Sequence, residues 1–240
     1  MRLSTLHRAL PGILCMLAGC QQAAAPTQAL AEPVPVAGVG YLVFNAPIVP
    51  TSRDLFIADV DKLRSAGARE IDIGMNSPGG DIDAAQAIVS YMTRLHEQDG
   101  ITFKAYNVGL VASAATFVFL STQDRYSVPR GVFLFHAAGM MSNGLVSAER
   151  LREQADKIEA YERTVGETLK ARTRLTASEA QTYLHRTVLL SSDDARRDGI
   201  VDGIAAFPAP KGAQRWVIAS RPATTGAHAP PAAPVPGAPG

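Results

Sequence analysis

The sequence is short of cysteine, of aromatic residues and of any excess of charge, and each shortage excludes a class of protein. Both cysteines, Cys15 and Cys20, lie in the first twenty residues, so the rest of the chain can carry neither a disulfide framework nor a cysteine-based metal site. The 23 lysines and arginines nearly balance the 22 acidic residues, for a net charge of +1. With no basic stripe among the few aromatics, binding to nucleic acid is not expected, and no metal or organic cofactor is implied.

The apolar run near the start of the chain, residues 9–18, is too short to cross a bilayer as a permanent helix. It follows a basic start and ends in Leu17-Ala18-Gly19-Cys20, which resembles the lipobox of a bacterial lipoprotein signal. Residues 1–20 are therefore predicted to be a signal peptide, cleaved before Cys20, whose thiol then carries lipid. The alternatives are an ordinary signal peptide with an incidental cysteine and a buried N-terminal helix.

A lipid on Cys20 would anchor the protein in the membrane of the cell envelope, facing the periplasm. Gln21 follows the cysteine, where an aspartate would favour retention in the inner membrane of enteric bacteria. The outer membrane is therefore the expected location.

Composition divides the remainder of the chain into three parts. Residues 21–38 are rich in alanine, proline and glutamine with almost no charge, which is typical of a tether. Residues 39–206 have the hydrophobic content of one folded domain. Residues 207–240 are rich in proline, alanine and glycine and are predicted to be a disordered tail, although residues 215–219 could add one strand.

Apolar patterns within residues 39–206 alternate between short strands and longer helices. Repeated strand–helix units imply right-handed crossovers and a largely parallel sheet, an α/β fold. The helix over 112–121 is apolar on nearly all sides and is expected to be buried. The first helix is expected to bury an apolar face formed by Leu55, Ile57, Ala58, Val60 and Leu63. Strands are predicted over residues 41–44, 71–75, 101–108, 125–128, 132–135, 187–190 and 200–205, and helices over 51–66, 81–95, 112–121, 146–172, 176–184 and 193–197.

The stretch Met75–Asp83, Met-Asn-Ser-Pro-Gly-Gly-Asp-Ile-Asp, joins a predicted strand to a predicted helix. Two glycines after a proline allow backbone angles that other residues resist, and they bring bare N–H groups close to a bound group. The start of the helix adds unpaired N–H donors and a positive dipole end, and together these groups can hold an oxyanion. The alternative is a tight turn that only positions the helix.

Two side chains at strand ends are candidates for catalysis. Ser113 follows a predicted strand and opens the apolar helix, where its hydroxyl is oriented and small neighbours let a substrate approach. His136 follows the strand over 132–135, at the mouth of a parallel sheet where ligands usually bind. Each also has a structural interpretation: a helix-packing serine bonded to a carbonyl, and a hydrogen-bonded structural histidine.

Taken in order, these segments resemble the Clp protease proteolytic subunit family over roughly residues 40–206. The resemblance implies an α/β fold of the ClpP/crotonase superfamily, a superhelix of repeated βαβ units with a long protruding handle helix, here from Val146, that interlocks subunits. It also implies a homo-oligomer that acts on peptides or unfolded protein. The resemblance rests on Asn76–Gly80, Gly109–Ser113, Arg125–Pro129, His136 and Gly199–Asp202.

The resemblance assigns roles to individual positions of this sequence. Ser113 matches the family's nucleophile. His136 matches the general base, which would take the proton of Ser113 and pass it to the leaving amine. The backbone N–H groups of Gly80 and Ala114 match the oxyanion hole.

The third member of the catalytic triad departs from the family pattern. The family has an aspartate there, and the matching position is Thr187, whose hydroxyl can accept a hydrogen bond from imidazole but brings no charge to stabilise imidazolium. Replacing a triad aspartate by a neutral group lowers the rate by about 10⁴-fold in a well-studied serine protease. Asp193 or Asp194 could take the place if the local backbone shifts.

Together these residues predict an ATP-independent serine endopeptidase of the cell envelope, because an exported protein meets no ATP. The alternative, raised by Thr187, is a catalytically degenerate relative that binds peptides or scaffolds an envelope assembly. Two further hypotheses stay open: an acyl-CoA enzyme of the crotonase type using Asp81 and Asp83, and a Ser–Lys dyad that uses Lys104.

Overall fold

A computed structural model describes residues 35–139, 144–211, 213 and 215–219, which lie in one compact unit. Strands and helices alternate along this part of the chain. The strands are β1 (Val39–Asn45), β2 (Glu70–Ser77), β3 (Thr102–Ala112), β4 (Asp124–Ser127), β5 (Val132–Phe135), β6 (Val188–Ser191), β7 (Gly203–Ile204) and β8 (Trp216–Ala219). The helices are α1 (Pro50–Ser65), α2 (Ile82–Asp99), α3 (Ala114–Leu120), α4 (Ala148–Arg172), α5 (Ala177–His185) and α6 (Ser192–Arg197).

Local signals explain where several helices begin and end. The Asp81 carboxylate accepts a hydrogen bond from the Ala84 N–H at 2.7 Å and so caps the start of α2. Gly100 ends the same helix with a φ of 66°, a left-handed conformation that glycine adopts without strain. Thr176 and Glu179 form a capping box at the start of α5.

The main sheet has the strand order β6-β5-β3-β2-β1-β8, while β4 pairs with β3 and β7 pairs with β4. Every pairing between the described strands is parallel except that of β5 with β6. The predicted largely parallel α/β sheet is therefore confirmed. The last residues of β3 lie beside β5, and β2 lies on the other side of β3, so the carboxyl ends of these three strands meet at one edge.

The apolar core lies between one face of the sheet and the helices. Ile71, Ile73 and Met75 alternate along β2 and are buried, because successive side chains of a strand point to opposite faces. All seven residues of α3 are buried, which confirms the prediction for this helix.

The buried face of α1 differs from the predicted one. Phe56, Val60 and Leu63 are buried, whereas Leu55 is 51% exposed and Ala58 is exposed as well. The Phe56 ring packs edge-on against aromatic rings of β1 and α2. The prediction for Leu55 and Ala58 is wrong because these tertiary contacts, which no local pattern encodes, set the rotation of the helix.

The folded part of the chain continues past the predicted boundary at residue 206. The Phe207 ring packs edge-on against Tyr41 and Tyr106, and β8 pairs with β1 and buries Ile218. The prediction of a disordered tail from residue 207 therefore places the boundary too early, because the free edge of β1 accepts one more strand. The additional strand expected over 215–219 is confirmed.

The long helix α4 is buried only toward its C-terminal end. None of residues 148–160 is buried, and Leu151 within this half is 53% exposed. The buried residues of α4 are Tyr161, Val165, Gly166 and Leu169. This helix therefore packs on the core through its second half.

Several predictions concern residues outside the described part of the chain. The signal peptide over 1–20, the lipidation site Cys20 and most of the tether over 21–38 lie there. Within the part that the structure describes, no helix combines the length and the apolar composition that crossing a membrane requires.

Candidate active site

Ser113 occupies the junction between β3 and α3 in a strained backbone conformation. Its φ is 53° and its ψ is −128°, and a non-glycine residue rarely has a positive φ. Its N–H donates a hydrogen bond to the Leu134 carbonyl of β5 at 2.9 Å. A serine held this way at a sharp strand-to-helix turn resembles the nucleophile elbow of hydrolases, and strain of this kind is concentrated at functional sites.

The two glycines of the β2–α2 turn pack directly against this junction. A Cβ on Gly79 would lie 2.5 Å from the Ala112 carbonyl oxygen and 2.9 Å from the Ala114 nitrogen. Gly80 has a φ of 146°, and a Cβ there would lie 2.2 Å from the Ile48 carbonyl oxygen. No other residue type fits either position without a backbone shift, so the turn is built for close approach to Ser113.

Two backbone N–H groups in this region have no partner within the described residues. The backbone groups on either side of the Gly80 N–H already form hydrogen bonds. The Gly79 carbonyl accepts from the Ile48 N–H and the Asp81 N–H donates to the Ile48 carbonyl, both at 2.8 Å. The Gly80 N–H itself has no acceptor. Ala114 is the first residue of α3, where an N–H has no intrahelical acceptor. Both are donors of the type that an oxyanion needs.

Polar side chains hold the strand ends in place where the pairing register between β2 and β3 shifts. The Asn76 Oδ1 accepts from the Leu110 N–H at 2.8 Å. The Asn107 Oδ1 accepts from the Gly109 N–H at 3.0 Å, and its Nδ2 donates to the Val132 carbonyl at 2.9 Å. Since a Cβ on Gly109 would lie 2.6 Å from the Asn76 Oδ1, glycine is needed here as well.

His136 follows β5 and lines the same cleft as Ser113, with an exposed side chain. Its Nδ1 lies 2.7 Å from the Ala137 carbonyl oxygen. A carbonyl can only accept, so Nδ1 carries the proton and the neutral ring leaves Nε2 free to take one. No hydrogen bond joins His136 to Ser113 in this arrangement of the described residues, and such bonds are often formed only when substrate is present.

Thr187 lies beside His136 without contacting it through a hydrogen bond. In the antiparallel pairing of β5 with β6, Phe135 is opposite Val188, so the next residues, His136 and Thr187, are neighbours across the two strand ends. Thr187 is exposed, and its hydroxyl has no partner among the described residues. The acceptor for the imidazole is therefore the backbone carbonyl of Ala137.

The two aspartates considered as replacements for Thr187 belong to α6. The Asp194 carboxylate accepts from the Ser191 hydroxyl and pairs with Arg197, both at 2.7 Å. The hydrogen bonds from Ser191, together with that of Arg197, hold the pKa of Asp194 below its ordinary value. Asp193 is exposed in the first turn of the helix. Neither carboxylate is paired with His136 in the described structure.

The proposed Ser–Lys dyad is wrong. Lys104 lies near the start of β3 and Ser113 follows its end, which separates them by roughly 30 Å along an extended strand. The Lys104 ammonium pairs with Glu70 at 2.8 Å, and the hydrogen bond that Lys104 donates to Glu70 raises the pKa of Lys104 above its ordinary value. A distant and more firmly charged lysine cannot serve Ser113 as a base.

The carboxylates considered for an acyl-CoA enzyme are also engaged elsewhere. Asp81 caps α2 through its bond to the Ala84 N–H. Asp83 forms an ion pair with Lys157 of α4. Neither residue is among those that line the cleft.

The cleft has a cavity volume of about 70 Å³ and brings Ser113, His136, Gly80 and Ala114 together. Its far wall comes from α4 and α5, which pattern analysis did not connect with the site. The sequence held one signal for this wall, because Glu162 follows Tyr161 on α4 and so lies next to the apolar stripe of that helix. The remaining lining residues are Ile82, Thr116, Phe135, Ala138, Gly139, Tyr161, Glu162, Val165, Tyr183 and Leu184.

The fold is a largely parallel α/β sheet in which a serine occupies a strained strand–helix junction. A glycine turn packs against this junction, and a histidine follows the strand that pairs with its end. This combination defines a class of hydrolase-like proteins. The Clp protease family model matches residues 42–207. The chain belongs to the Clp protease family.

Individual relatives agree with this assignment. The chain is 27% identical over 138 residues to the ATP-dependent Clp protease proteolytic subunits 1 and 2 of two strains of Tropheryma whipplei, over 57% of this chain and 65% of each relative. It thus spans about two thirds of their length. The structure of a ClpP1 mutant from Listeria monocytogenes superimposes with a TM-score of 0.60 at 20% identity, covering 72% of this chain and 94% of that chain. This similarity shows that the two chains share a fold.

Proposed function

We propose that this protein is an ATP-independent serine endopeptidase of the cell envelope. The observation that carries the proposal is the conformation of Ser113, which is strained at the strand–helix junction and lines the same cleft as Gly80 and Ala114. Membership in the Clp protease family supports the reaction class. The substrate is a peptide or an unfolded protein segment.

The reaction follows from the groups that line the cleft. The Ser113 hydroxyl attacks the carbonyl carbon of the scissile peptide bond while Nε2 of His136 takes its proton. The N–H groups of Gly80 and Ala114 stabilise the oxyanion of the tetrahedral intermediate. The intermediate collapses to an acyl-enzyme as His136 protonates the leaving amine, and water then releases the acyl group with the same residues in the same roles.

The hydrogen bond from His136 to the Ala137 carbonyl supports this role and also predicts a modest rate. The carbonyl orients the ring and keeps the proton on Nδ1. It is neutral, however, and stabilises imidazolium less than a buried carboxylate does. We therefore expect turnover below that of a Ser–His–Asp peptidase.

The location and assembly belong to the same proposal. A lipid on Cys20 would anchor the domain in the envelope, on the periplasmic side and preferentially at the outer membrane, where no ATP is available. Cys20→Ala should move the protein from the membrane fraction to the soluble fraction. The first half of α4, with no buried residue between 148 and 160, supports a homo-oligomer in which this half contacts another subunit. Light scattering that gives a monomer would contradict the assembly.

A fluorophosphonate probe tests the chemistry directly. We would treat the full-length chain in detergent with the probe, locate the adduct by mass spectrometry, and measure hydrolysis of an unfolded protein in parallel. Labelling confined to Ser113 is expected, with hydrolysis lowered by roughly 10³-fold or more in Ser113→Ala and labelling strongly reduced in His136→Ala. Ser121→Ala is the matched control, since it removes a hydroxyl from the other end of α3, where that hydroxyl bonds the Phe117 carbonyl.

A second candidate function is a catalytically degenerate relative that binds peptides or scaffolds an envelope assembly. The absence of any carboxylate bonded to His136 among the described residues favours it. It predicts a folded oligomer that the probe does not label and whose function Ser113→Ala leaves intact. Unchanged hydrolysis in Ser113→Ala would reject the peptidase proposal outright.

A further inference from the structure

The cleft beside Ser113 is apolar on most of its far side. Ile82, Phe135 and Val165 contribute hydrocarbon surface, and Tyr161 and Tyr183 contribute aromatic rings. The Tyr183 hydroxyl donates to the Asp198 carboxylate at 2.5 Å, which turns its polar end away from the cleft. A substrate side chain entering here therefore meets hydrocarbon and aromatic surface beside the polar groups of the site.

One charged group interrupts these walls. The side chain of Glu162 is 18% exposed, and it is the sole carboxylate among the described residues that line the cleft. The Nδ1 of His185 lies 3.9 Å from the Glu162 carboxylate, and the same ring is engaged by Gln181 through Nε2 at 2.9 Å. Glu162 also lines the adjoining groove, together with Arg163 and Lys170. The described residues offer Glu162 no hydrogen-bond donor.

A carboxylate in this position attracts a cation, because much of its hydration has been removed and no fixed partner replaces it. The described lining contains no lysine or arginine that could neutralise it. Lys157 lies one turn and a half earlier on α4 and pairs with Asp83 of α2. Arg163, the next residue after Glu162, lines the adjoining groove.

We propose that Glu162 makes this cleft select a substrate with a lysine or arginine side chain next to the scissile bond. The apolar walls accept the methylene stem of such a residue, and Glu162 accepts its charged end. The inference rests on the proposed peptidase function and adds the class of side chain that the site takes. Neutral side chains of the same length gain the apolar contacts and lose the charge pair.

A pair of fluorogenic peptides tests the selection. The two peptides differ only at the residue whose carbonyl Ser113 would attack, lysine in one and norleucine, its uncharged counterpart, in the other. With the full-length protein we expect kcat/KM about 10-fold higher for the lysine peptide. In Glu162→Gln this ratio should fall to near one, while Glu159→Gln, an exposed residue one turn earlier on α4 and outside the cleft, keeps the wild-type ratio.

A binding measurement tests this inference independently of the proposed peptidase function. The same peptides, without the fluorogenic group, would be titrated into Ser113→Ala and into the double variant that also carries Glu162→Gln. Tighter binding of the lysine peptide that disappears in the double variant supports the role of Glu162, even if the wild-type protein cleaves neither peptide and the peptidase proposal fails. Cleavage or binding with no preference for lysine overturns the inference while leaving the peptidase proposal standing.

Discussion

Two of the places where the sheet buries polar side chains differ in how those groups are paired. Below the cleft, Asn107, Ser127 and Ser192 are buried, and each of their polar side-chain atoms has a hydrogen-bond partner. In the middle of β2, Asp72 is also buried, and its Oδ1 has no partner among the described residues. The first cluster, formed by Asn107, Ser127 and Ser192, stabilises the fold around the site. Asp72, in contrast, destabilises the folded state whenever its carboxylate is charged.

The difference follows from the position of each group in the sheet. The first cluster lies where the pairing of β3 with β4 ends, at Asn107 and Ser127, and backbone groups beyond that point are free: Ser192 donates toward the Val128 carbonyl at 2.7 Å and the Gly131 carbonyl at 2.9 Å. Asp72 lies within the ladder, between Tyr41 and Lys104 of the adjacent strands, where backbone groups already pair with each other. A buried polar residue is therefore well paired where a ladder ends and costly within a continuous ladder.

Asn107→Ala should show the largest effect on stability. It removes the partners of the Gly109 N–H and the Val132 carbonyl and leaves a cavity beside them. We expect the free energy of unfolding to fall by about 3 kcal/mol, measured by denaturant titration. Gln98→Ala, which removes an exposed amide side chain of α2, is the control. A loss no larger than the control's would show that the cluster does not hold the strand ends.

Ser192→Ala should have a smaller effect of the same sign. It removes one hydroxyl that bridges two carbonyls and contacts the Ser127 hydroxyl at 2.9 Å, while the Ser127 hydroxyl keeps its bond to Val128. A loss of about 2 kcal/mol is expected. Ser90→Ala, at an exposed position of α2, should change stability by less than about 0.5 kcal/mol. Equal values for the two variants would place Ser192 outside the supporting cluster.

Asp72→Asn should show the smallest effect, with the opposite sign and a dependence on pH. Burial, together with the negative charges of Glu70 and Asp124, raises the pKa of Asp72 from 3.8 to about 7, against a lowering by Lys104. The folded protein therefore holds a proton that the unfolded chain releases above pH 4. The favourable contribution of this proton is complete below pH 4 and is lost as the pH rises to about 7.

Asp72→Asn has no such proton to lose. Its free energy of unfolding should therefore exceed that of the wild type by an amount that grows between pH 4 and pH 7 and then levels off. We expect a gain of roughly 1–2 kcal/mol at pH 8, less than the full pKa shift corresponds to, because water screens the partly exposed neighbouring charges. Thermal unfolding at a series of pH values measures it, with Asp54→Asn at an exposed site as the control. A constant difference across this range would contradict the proposed titration of Asp72.

Much of the fold could be predicted because its signals are local. The capping box of Thr176 and Glu179, the all-apolar α3 and the alternation of strands and helices each depend on residues close together in the chain. The glycine turn and the serine after β3 are also local signals, and they pointed to the edge of the sheet where the cleft lies. The rotation of α1 and the end of the folded domain were misplaced, since each depends on contacts with distant segments.

The sequence by itself determined the order of strands and helices, the turn at Gly79 and Gly80 and the residue types at positions 113 and 136, since backbone preference and apolar periodicity act over a few residues. Tertiary structure decided the rest. The pairing of β5 with β6 set Thr187 beside His136 without a hydrogen bond, and the packing of α4 brought Glu162 to the cleft. Such contacts join residues far apart in the chain, so they depend on how whole elements pack.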